Sequence, residues 1–368
     1  MKIALVHDYL TQRGGAERVF ELLCKLFPSA DIFTSLYDRK RTIDLGNRIV
    51  QTSFLQNIPG SAQYFRLLAP LYFVAFKNLN LQDYDLIISS TSSFAKAVIK
   101  RPGALHICFC HNVTRFLWNT EIYLKEYNNY NLYSPLIKTF FKLMKAADLE
   151  AANNPDIYIA NSSVVAQRIS TIYKRDATVI NYPIDSSKFL FSTKKEDFYL
   201  VLSRLLSYKQ VNLIVEAFNW LGWTLLIVGD GPERTYLETK ALSNIQFLGY
   251  ISDELRASLM SRSSGIVIAA LEDYGLVPIE ANASGTPVIA YNAGGIIDTQ
   301  IAGETAILFK PQTPEALIKA LIEARNTPWN HTKIRDHALT NFSEKVFFQK
   351  IQQLIQQLLG ESAADIFG

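Results

Sequence analysis

Residues 265–281 limit most strongly what this chain can fold into. In this stretch an apolar run leads through a glycine-containing loop into a second apolar segment. Residues 265–270 are rich in β-branched side chains and predict a buried strand. In residues 271–281, Pro278 suits the first turn of the helix that follows the loop. A buried strand joined by a short loop to a helix is the building unit of an α/β fold.

The same loop carries groups that suit a ligand with hydroxyls and a phosphate. Glu272 lies on the loop, and Glu280 lies about one turn into the predicted helix. Gly275 lets the backbone come close to a ligand, and the amide hydrogens from Gly275 to Val277 point out of the helix N-terminus, where an anion is stabilised. Two carboxylates for hydroxyls and a cradle for phosphate are what a nucleotide sugar requires.

A similar unit opens the chain. Residues 3–6 predict a strand, and the pair Gly14-Gly15 leads into an amphipathic helix with apolar residues on one side. In a doubly wound sheet such a unit places ligands at the carboxyl ends of the strands. The alternative interpretation of the glycine pair is a tight turn without a ligand.

The alternation of strands and helices restarts in the second half of the chain. Residues 179–185 are an extended run with a proline and predict a hinge, and a new strand begins at residues 198–202. We therefore predict an α/β protein with two doubly wound domains. Their expected extents are 1–185, 186–342 and a final segment 343–368, whose helix crosses back to the first domain.

Composition and termini predict a cytoplasmic protein. Hydrophobic residues make up 49% of the chain and charged residues 19%, and three cysteines are too few for a disulfide scaffold. The chain opens with a strand and not with a signal peptide, so we expect none. The most apolar segment, 64–76, contains Arg66 and Pro70 and is shorter than the ~20 residues of a membrane-spanning helix.

Charge is distributed unevenly. Residues 1–185 carry 21 Lys or Arg against 15 Asp or Glu, and the remainder carries 16 against 19. A basic first half suits an anionic partner or an acidic membrane surface, whereas no block of basic residues or aromatic motif indicates nucleic acid. Ordinary surface variation is the alternative. Segment 64–76 is either a domain-packing helix or a peripheral membrane contact, and the lysines of 138–145 are either solvated or close to lipid.

Several residues at predicted strand ends are candidates for chemistry. His111 follows the strand at 106–110, at the mouth where a ligand is expected. Arg204 and Lys209 flank a turn after the strand at 198–202, although two cations at this spacing are also common on surfaces. The glycines of 228–231 form only part of a dinucleotide fingerprint, and no metal-ligand spacing occurs near Cys108 and Cys110.

These residues resemble a known family. Glu272 and Glu280, eight apart around Tyr274-Gly275-Leu276, resemble the two-glutamate motif of the retaining family 4 glycosyltransferases, which have the GT-B fold. The resemblance extends in order over His7-Asp8-Tyr9 with Gly14-Gly15-Ala16-Glu17, Cys110-His111 to Arg115, Ser203-Arg204-Leu205 to Lys209, and Val228-Gly229-Asp230-Gly231-Pro232. It implies two Rossmann-like domains that face a central cleft and close about residues 181–185.

The resemblance also assigns roles to residues. His111 and Glu272 would be catalytic, and Asp8 and Arg115 would lie on the acceptor side, with the Tyr- and Asn-rich segment 123–133 as a further acceptor wall or a plain surface loop. Relatives commonly have a small polar residue and proline after the histidine, where this chain has Asn112-Val113. The implied donor-binding residues are Gly14, Gly15, Arg204, Lys209, Tyr250, Ile251, Asp273, Tyr274, Gly275, Leu276, Val277 and Glu280.

The implied activity is the retaining, metal-independent transfer of a hexose to a glycan or lipid-linked saccharide in polysaccharide biosynthesis. Tyr250 near the base site favours uracil, hence UDP-glucose ahead of GDP-mannose. No metal or other cofactor is expected, and the nucleotide sugar is a co-substrate. The alternatives are a nucleotide-sugar epimerase of the same fold and a non-catalytic nucleotide-sugar-binding subunit, whereas the incomplete glycine fingerprint disfavours an NAD dehydrogenase.

Overall fold

A computed structural model describes residues 1–119, 135–360 and 366, with the backbone alone for 135–137. The predicted segment 123–133 lies outside these residues. The chain forms two compact units, Met1–Asn181 together with Phe348–Gly368, and Tyr182–Phe347. The segment Tyr182–Asp185, which we had assigned to the first domain, belongs to the second unit. Its Ile184 amide donates to the Phe342 carbonyl at 2.8 Å, which explains the difference.

The first unit is built on a seven-stranded parallel sheet with the order β3-β2-β1-β4-β5-β6-β7. The central strands are buried along their whole length, as expected when helices cover both faces of a parallel sheet. Its strands are β1 Ile3–His7, β2 Asp31–Thr34, β3 Val50–Thr52, β4 Leu86–Thr91, β5 Leu105–Cys110, β6 Ile157–Ala160 and β7 Ala177–Val179. The edge strand β7 is short and largely exposed, so its sequence carries little apolar periodicity.

Helices and short turns connect these strands. The N-cap of the first helix is Gly14, and the helix buries Val19, Phe20 and Leu23 against the sheet. A 3-10 turn at Phe65–Leu68 leads directly into the second helix. The helices are α1 Gly15–Leu26, α2 Ala69–Lys77, α3 Arg115–Trp118, α4 Pro135–Ala151 and α5 Ser163–Tyr173.

The second unit contains a six-stranded parallel sheet with the order β10-β9-β8-β11-β12-β13. Its strands are β8 Glu196–Leu202, β9 Leu225–Val228, β10 Ile245–Gly249, β11 Ser263–Ile268, β12 Val288–Tyr291 and β13 Ala306–Phe309. Its helices are α6 Val211–Leu221, α7 Arg234–Lys240, α8 Asp253–Arg262, α9 Leu276–Ala283, α10 Ile296–Thr299, α11 Pro314–Asn326 and α12 His331–Phe342. The last helix, α13 Glu344–Leu359, begins in this unit and continues into the residues grouped with the first.

Both sheets are doubly wound, which confirms the predicted fold class. In each, the first strand of the unit lies in the middle and the strand order reverses beside it, between β1 and β4 and between β8 and β11. Ligands of such sheets bind in the crevice outside the carboxyl ends of the strands at this reversal. The loops that follow these four strands therefore identify where to look for a site in each unit.

Candidate functional site

A cavity of about 220 Å³ lies in the second unit at the carboxyl ends of β8 and β11. It brings together six of the residues predicted for the donor or for catalysis. These are Arg204, Lys209, Glu272, Gly275, Leu276 and Val277. The lining also includes apolar residues, among them Val211, Ile214 and Val267.

The Lys209 ammonium and the Glu272 carboxylate form an ion pair in this cavity. Lys209 Nζ lies 2.6 Å from Glu272 Oε1, and only 16% and 23% of the two side chains are exposed. Lys209 ends the 3-10 turn Ser207–Lys209 after β8, and Glu272 lies on the loop after β11. Parallel neighbouring strands thus place two residues 63 positions apart at one edge of the sheet.

Arg204 extends from the loop after β8, and its side chain is exposed at the cavity. Its Nη2 donates to the Tyr208 hydroxyl at 3.3 Å. The loop is held by the turn after β9, because the Leu205 amide donates to the Asp230 carbonyl at 2.9 Å. The partial glycine fingerprint at 228–231 therefore has a local role here, which is to support the loop that carries Arg204.

The start of α9 faces the same cavity. Gly275 is the N-cap of this helix and has φ +84°, a conformation that favours glycine. The first amides of a helix have no partner within the helix, and the helix dipole adds partial positive charge at this end. Cations and amide hydrogens thus meet in one cavity, an arrangement suited to a phosphate or diphosphate.

The glycine pair after β12 holds the loop that carries Glu272. The Gly295 amide donates to the Glu272 carbonyl at 2.8 Å, and Glu272 and Gly294 form an isolated parallel bridge. A Cβ atom on Gly294 would lie 2.1 Å from the Glu272 carbonyl oxygen. These contacts show that the backbones of two loops pack against each other here.

Glu280, the second glutamate of the motif, is buried and bonded to a residue that the sequence did not single out. One of its carboxylate oxygens accepts a hydrogen bond from Arg256 Nη2, and the Glu280 side chain is almost fully buried. Arg256 lies on α8, 24 residues earlier in the chain, and no sequence pattern indicated the pairing. Glu280 does not line the cavity described above.

The side chain of Tyr274 does not have the donor-binding position that was predicted for it. Its hydroxyl donates to the Tyr182 carbonyl at 2.6 Å, and its ring packs edge-on against that of Tyr182. Burial raises the pKa of Tyr274 well above its ordinary value. The side chain therefore fastens the segment that begins the second unit and is not available to a ligand, which leaves only its backbone near the loop.

The remaining predicted donor residues of this unit lie outside the cavity. Tyr250 follows β10 and is 81% exposed, whereas Ile251 is half-buried against the core that includes Leu200 and Met260. Asp273 is half-buried on the loop between β11 and α9. The structure thus separates a compact cluster around Lys209 and Glu272 from these three residues.

In the first unit, His111 lies directly after β5 and is buried. Its Nε2 is 2.7 Å from the Ser90 hydroxyl, which is also 3.0 Å from Nδ1 of His7. Burial and the neighbouring His7 lower the pKa of His111 to about 3, so its imidazole is neutral at physiological pH. His7 ends β1 and is paired with Ser90, the residue before the end of β4, and these two strands are neighbours at the reversal of strand order. Neither residue was assigned a role from the sequence, although His7 belongs to the motif His7-Asp8-Tyr9.

Asp8 was predicted to lie on the acceptor side. In the structure its carboxylate accepts hydrogen bonds from the turn after β4. Five donors surround its two oxygens at 2.7 to 3.0 Å: the Thr91 hydroxyl and the amides of Ser92, Ser93, Phe94 and Ala95. The side chain is buried at 3% exposure. A carboxylate bonded in this way fixes the turn after β4, and we no longer assign it to an acceptor.

Other first-unit residues surround a buried ion pair. Lys96 Nζ and Asp148 Oδ1 are 2.7 Å apart, and Asp148 also accepts from Thr114, Trp118 and Tyr173. This network fixes both ends of the short helix α3. Arg115 is the first residue of that helix, and its side chain is exposed. Gly14 and Gly15, the predicted donor glycines, stand at the start of α1.

Neither a metal cluster nor a membrane-spanning helix occurs among the residues that the structure describes. Across residues 1–119, 135–360 and 366, no three His, Cys, Asp or Glu side chains group together as a metal site would need. The three cysteines are free and buried. Among the helices in the described part of the chain, none combines the length and apolar character required to cross a bilayer.

Comparison with known proteins places these features in a family. The model "Glycosyltransferase Family 4" matches residues 13–188, and the model "Glycosyl transferases group 1" matches residues 185–341. The D-rhamnosyltransferase WbpZ of Pseudomonas aeruginosa is 27% identical over 208 residues, 52% of this chain and 52% of that protein. The Alpha-1,3/1,6-mannosyltransferase ALG2 of Dictyostelium discoideum is 23% identical over 97% of this chain and 98% of the relative.

Solved structures agree on the fold. Anabaena Alr3699/HepE, crystallised in complex with UDP, has a TM-score of 0.70 and 20% identity, covering 97% of this chain and all of that one. For several curated relatives, WbpZ among them, the match spans less than two thirds of the relative's length. The two family models nevertheless account for almost everything from residue 13 to 341, and the chain belongs to family 4 of the glycosyltransferases, with the GT-B fold.

Proposed function

We propose that this chain transfers a hexose from a nucleotide sugar to a saccharide acceptor, with retention of anomeric configuration and without a metal ion. The observation that carries the proposal is the cavity where Arg204, Lys209, Glu272 and the start of α9 meet. Breaking the bond between the sugar and the diphosphate leaves negative charge on the departing phosphate. Two cations and free helix amides are groups that stabilise such charge.

Roles follow from these positions. Arg204, Lys209 and the amides at Gly275 to Val277 hold the diphosphate. Glu272, paired with Lys209 at 2.6 Å, orients the ammonium and binds sugar hydroxyls near the reacting carbon. Glu280 binds the ribose hydroxyls, which requires that it share or exchange its bond to Arg256. In the first unit, His111 is the second catalytic group.

We propose a UDP-sugar, with UDP-glucose first and GDP-mannose next. The bound UDP of the Anabaena structure supports this choice, and the name of the mannosyltransferase relative keeps GDP-mannose as the alternative. The acceptor that we propose is a glycan or lipid-linked saccharide in polysaccharide biosynthesis. The names of the rhamnosyltransferase and mannosyltransferase relatives support the transfer of a sugar.

The experiment is an NMR assay of the purified chain with UDP-glucose or GDP-mannose, with and without saccharide acceptors and with EDTA. Product with the donor's anomeric configuration, formed in the presence of EDTA, supports the proposal. Interconversion of free donor without acceptor identifies an epimerase. Donor binding without hydrolysis or transfer identifies a non-catalytic subunit, and inverted product or loss of activity with EDTA contradicts retention or metal independence.

We propose that the first unit makes a peripheral contact with a membrane surface. Segment 64–76 buries Tyr72, Phe73 and Phe76, whereas Leu67, Leu71 and Val74 are 77%, 41% and 50% exposed. Leu71 and Val74 lie one turn apart on α2, and Leu67 lies on the 3-10 turn directly before it. We treat the three as one exposed apolar stripe. The helix α4 packs beside α2 and exposes the apolar Leu143 together with Lys138 and Lys142. An apolar stripe flanked by cations suits the surface of an anionic bilayer, where a lipid-linked acceptor would be found.

A further inference from the structure

Two buried histidines of the first unit share one hydroxyl group. Ser90 Oγ lies 3.0 Å from His7 Nδ1 and 2.7 Å from His111 Nε2, and all three side chains are buried. A serine hydroxyl has a single proton to donate. Ser90 therefore donates to one imidazole and accepts from the other, so the protonation of the two rings is coupled.

A carboxylate stands at the far end of this chain of groups. Glu17 Oε1 is 3.8 Å from His7 Nε2, and Gln12 Nε2 donates to the same oxygen at 3.1 Å. Burial, the largest effect, works against the charge of Glu17, but its interactions with His7, with its own backbone and with Gln12 together outweigh burial and lower the pKa of Glu17. An ionised carboxylate facing Nε2 favours a proton on that nitrogen.

We propose that Glu17, His7 and Ser90 are positioning residues that fix the ring orientation and tautomer of His111. When His7 is neutral and its proton is on Nε2, its unprotonated Nδ1 faces Ser90. Ser90 then donates to His7 and accepts from the Nε2–H group of His111, so the basic nitrogen of His111 is Nδ1. This inference rests on the proposed catalytic role of His111 and names the groups that prepare it.

The chain provides a matched control on the neighbouring strand position. Ser89 Oγ lies 2.8 Å from Nε2 of His106, and both residues are fully buried. Successive residues of a strand point to opposite faces, so this second serine–histidine pair lies on the other side of the same sheet. It repeats the chemistry of the Ser90–His111 contact away from His7 and Glu17.

The test combines nitrogen NMR of the histidine rings with kinetics on the full chain. The protein has five histidines, so ¹⁵N-histidine labelling with single substitutions assigns each ring. We expect the Nε2–H tautomer for His111 in the wild type and a shift toward Nδ1–H in Glu17→Gln, whose amide can donate to His7 Nε2. Ser90→Ala should lower kcat by about 10–100-fold with donor KM little changed, and Ser90→Thr should restore much of it. Ser89→Ala should leave kcat and the His111 signals unchanged.

The outcomes separate this inference from the function on which it rests. A His111 tautomer that is Nδ1–H in the wild type, or that ignores both Glu17→Gln and Ser90→Ala, overturns the inference even if His111 is essential. Full turnover in His111→Gln overturns the catalytic role of His111, whatever the tautomer. If Ser90→Ala loses its near-ultraviolet circular dichroism and does not fold, the Glu17→Gln spectra decide.

Discussion

Lys209 Nζ lies 2.6 Å from Glu272 Oε1, so the candidate donor cavity presents its central cation and carboxylate as one pair. The two residues come from loops after neighbouring parallel strands. Because each side chain is mostly shielded from water, their interaction is stronger than that of an exposed pair. Changing either residue should therefore alter the position of the other as well as its own contacts.

We expect Lys209→Gln to lower turnover by about 10²–10³-fold, because it removes a positive charge that stabilises the departing diphosphate. Donor affinity should fall less than kcat if the charge acts mainly in the transition state. Steady-state kinetics at saturating donor measures this. Lys188→Gln is the control, because Lys188 forms an exposed pair with Asp185 at 3.4 Å in the same unit. Normal kcat in Lys209→Gln would remove Lys209 from the proposed diphosphate site.

A second prediction concerns a residue that touches no ligand in the proposal. Gly294→Ala should reduce kcat strongly, because the new Cβ would lie 2.1 Å from the Glu272 carbonyl oxygen and displace the loop. Gly303→Ala is the matched control, since Gly303 has a similar φ of +77° but nothing within 4 Å of its Cβ position. Both variants carry the cost of a left-handed alanine. Equal kinetics in the two variants would show that loop displacement does not matter.

The sequence could predict which loops carry the chemistry, but not which side chains meet. Strand and helix alternation is a local signal, and it correctly placed Glu272 after β11 and Lys209 after β8. Which way a side chain turns depends on partners far away in the sequence. The hydroxyl of Tyr274 reaches Tyr182, 92 positions away, and no periodicity contains that information.

Asp8 illustrates the same limit more sharply. Its partners begin 83 residues later in the chain, because β1 and β4 are neighbours in the sheet. An aspartate at a strand end is equally suited to a ligand or to free backbone amides, and only the turn that follows β4 decides between them. The fold class depends on repeated local patterns and could be predicted, whereas the carboxylate's partner could not.

Glu280 should control donor affinity more than turnover. We expect Glu280→Gln to raise the donor Kd by about 10–100-fold, because charged hydrogen bonds contribute about 1.5–3 kcal/mol each. Isothermal titration with UDP-glucose measures the change. Arg256→Met should also change the Kd, since Arg256 bonds to the buried Glu280 carboxylate. Glu238→Gln is the control, because Glu238 pairs with Arg234 on the surface of the same unit. An unchanged Kd in Glu280→Gln would contradict the ribose assignment.

The exposed apolar stripe gives a prediction that needs no donor. The double variant Leu67→Ser, Leu71→Ser should bind phosphatidylglycerol vesicles several-fold more weakly than the wild type in a sedimentation assay. Both substitutions remove apolar area that would enter the membrane interface. Binding of the wild type should weaken in phosphatidylcholine vesicles and at high salt. Ile49→Ser is the control, because Ile49 is 84% exposed in the same unit but outside the stripe. Equal binding by the double variant and the control would exclude this surface.

Acid should destabilise the folded chain through its buried histidines. Burial lowers the pKa of His106 to about 3, whereas an unfolded histidine titrates near ~6.5. Between these values the unfolded chain binds a proton that the folded chain does not, so this group's contribution to stability is present above ~6.5 and is lost as pH falls toward 3.

We expect each such histidine to add about 1.4 kcal/mol per pH unit to the slope within this window. His106→Leu should therefore show a shallower dependence of unfolding free energy on pH between about 4.5 and 6.5, measured by urea denaturation. Ser89→Ala keeps the imidazole and removes only its 2.8 Å hydrogen-bond partner, so it should lower stability without flattening the slope. Parallel slopes for the wild type and His106→Leu would mean that His106 titrates in the folded protein much as it does in the unfolded one.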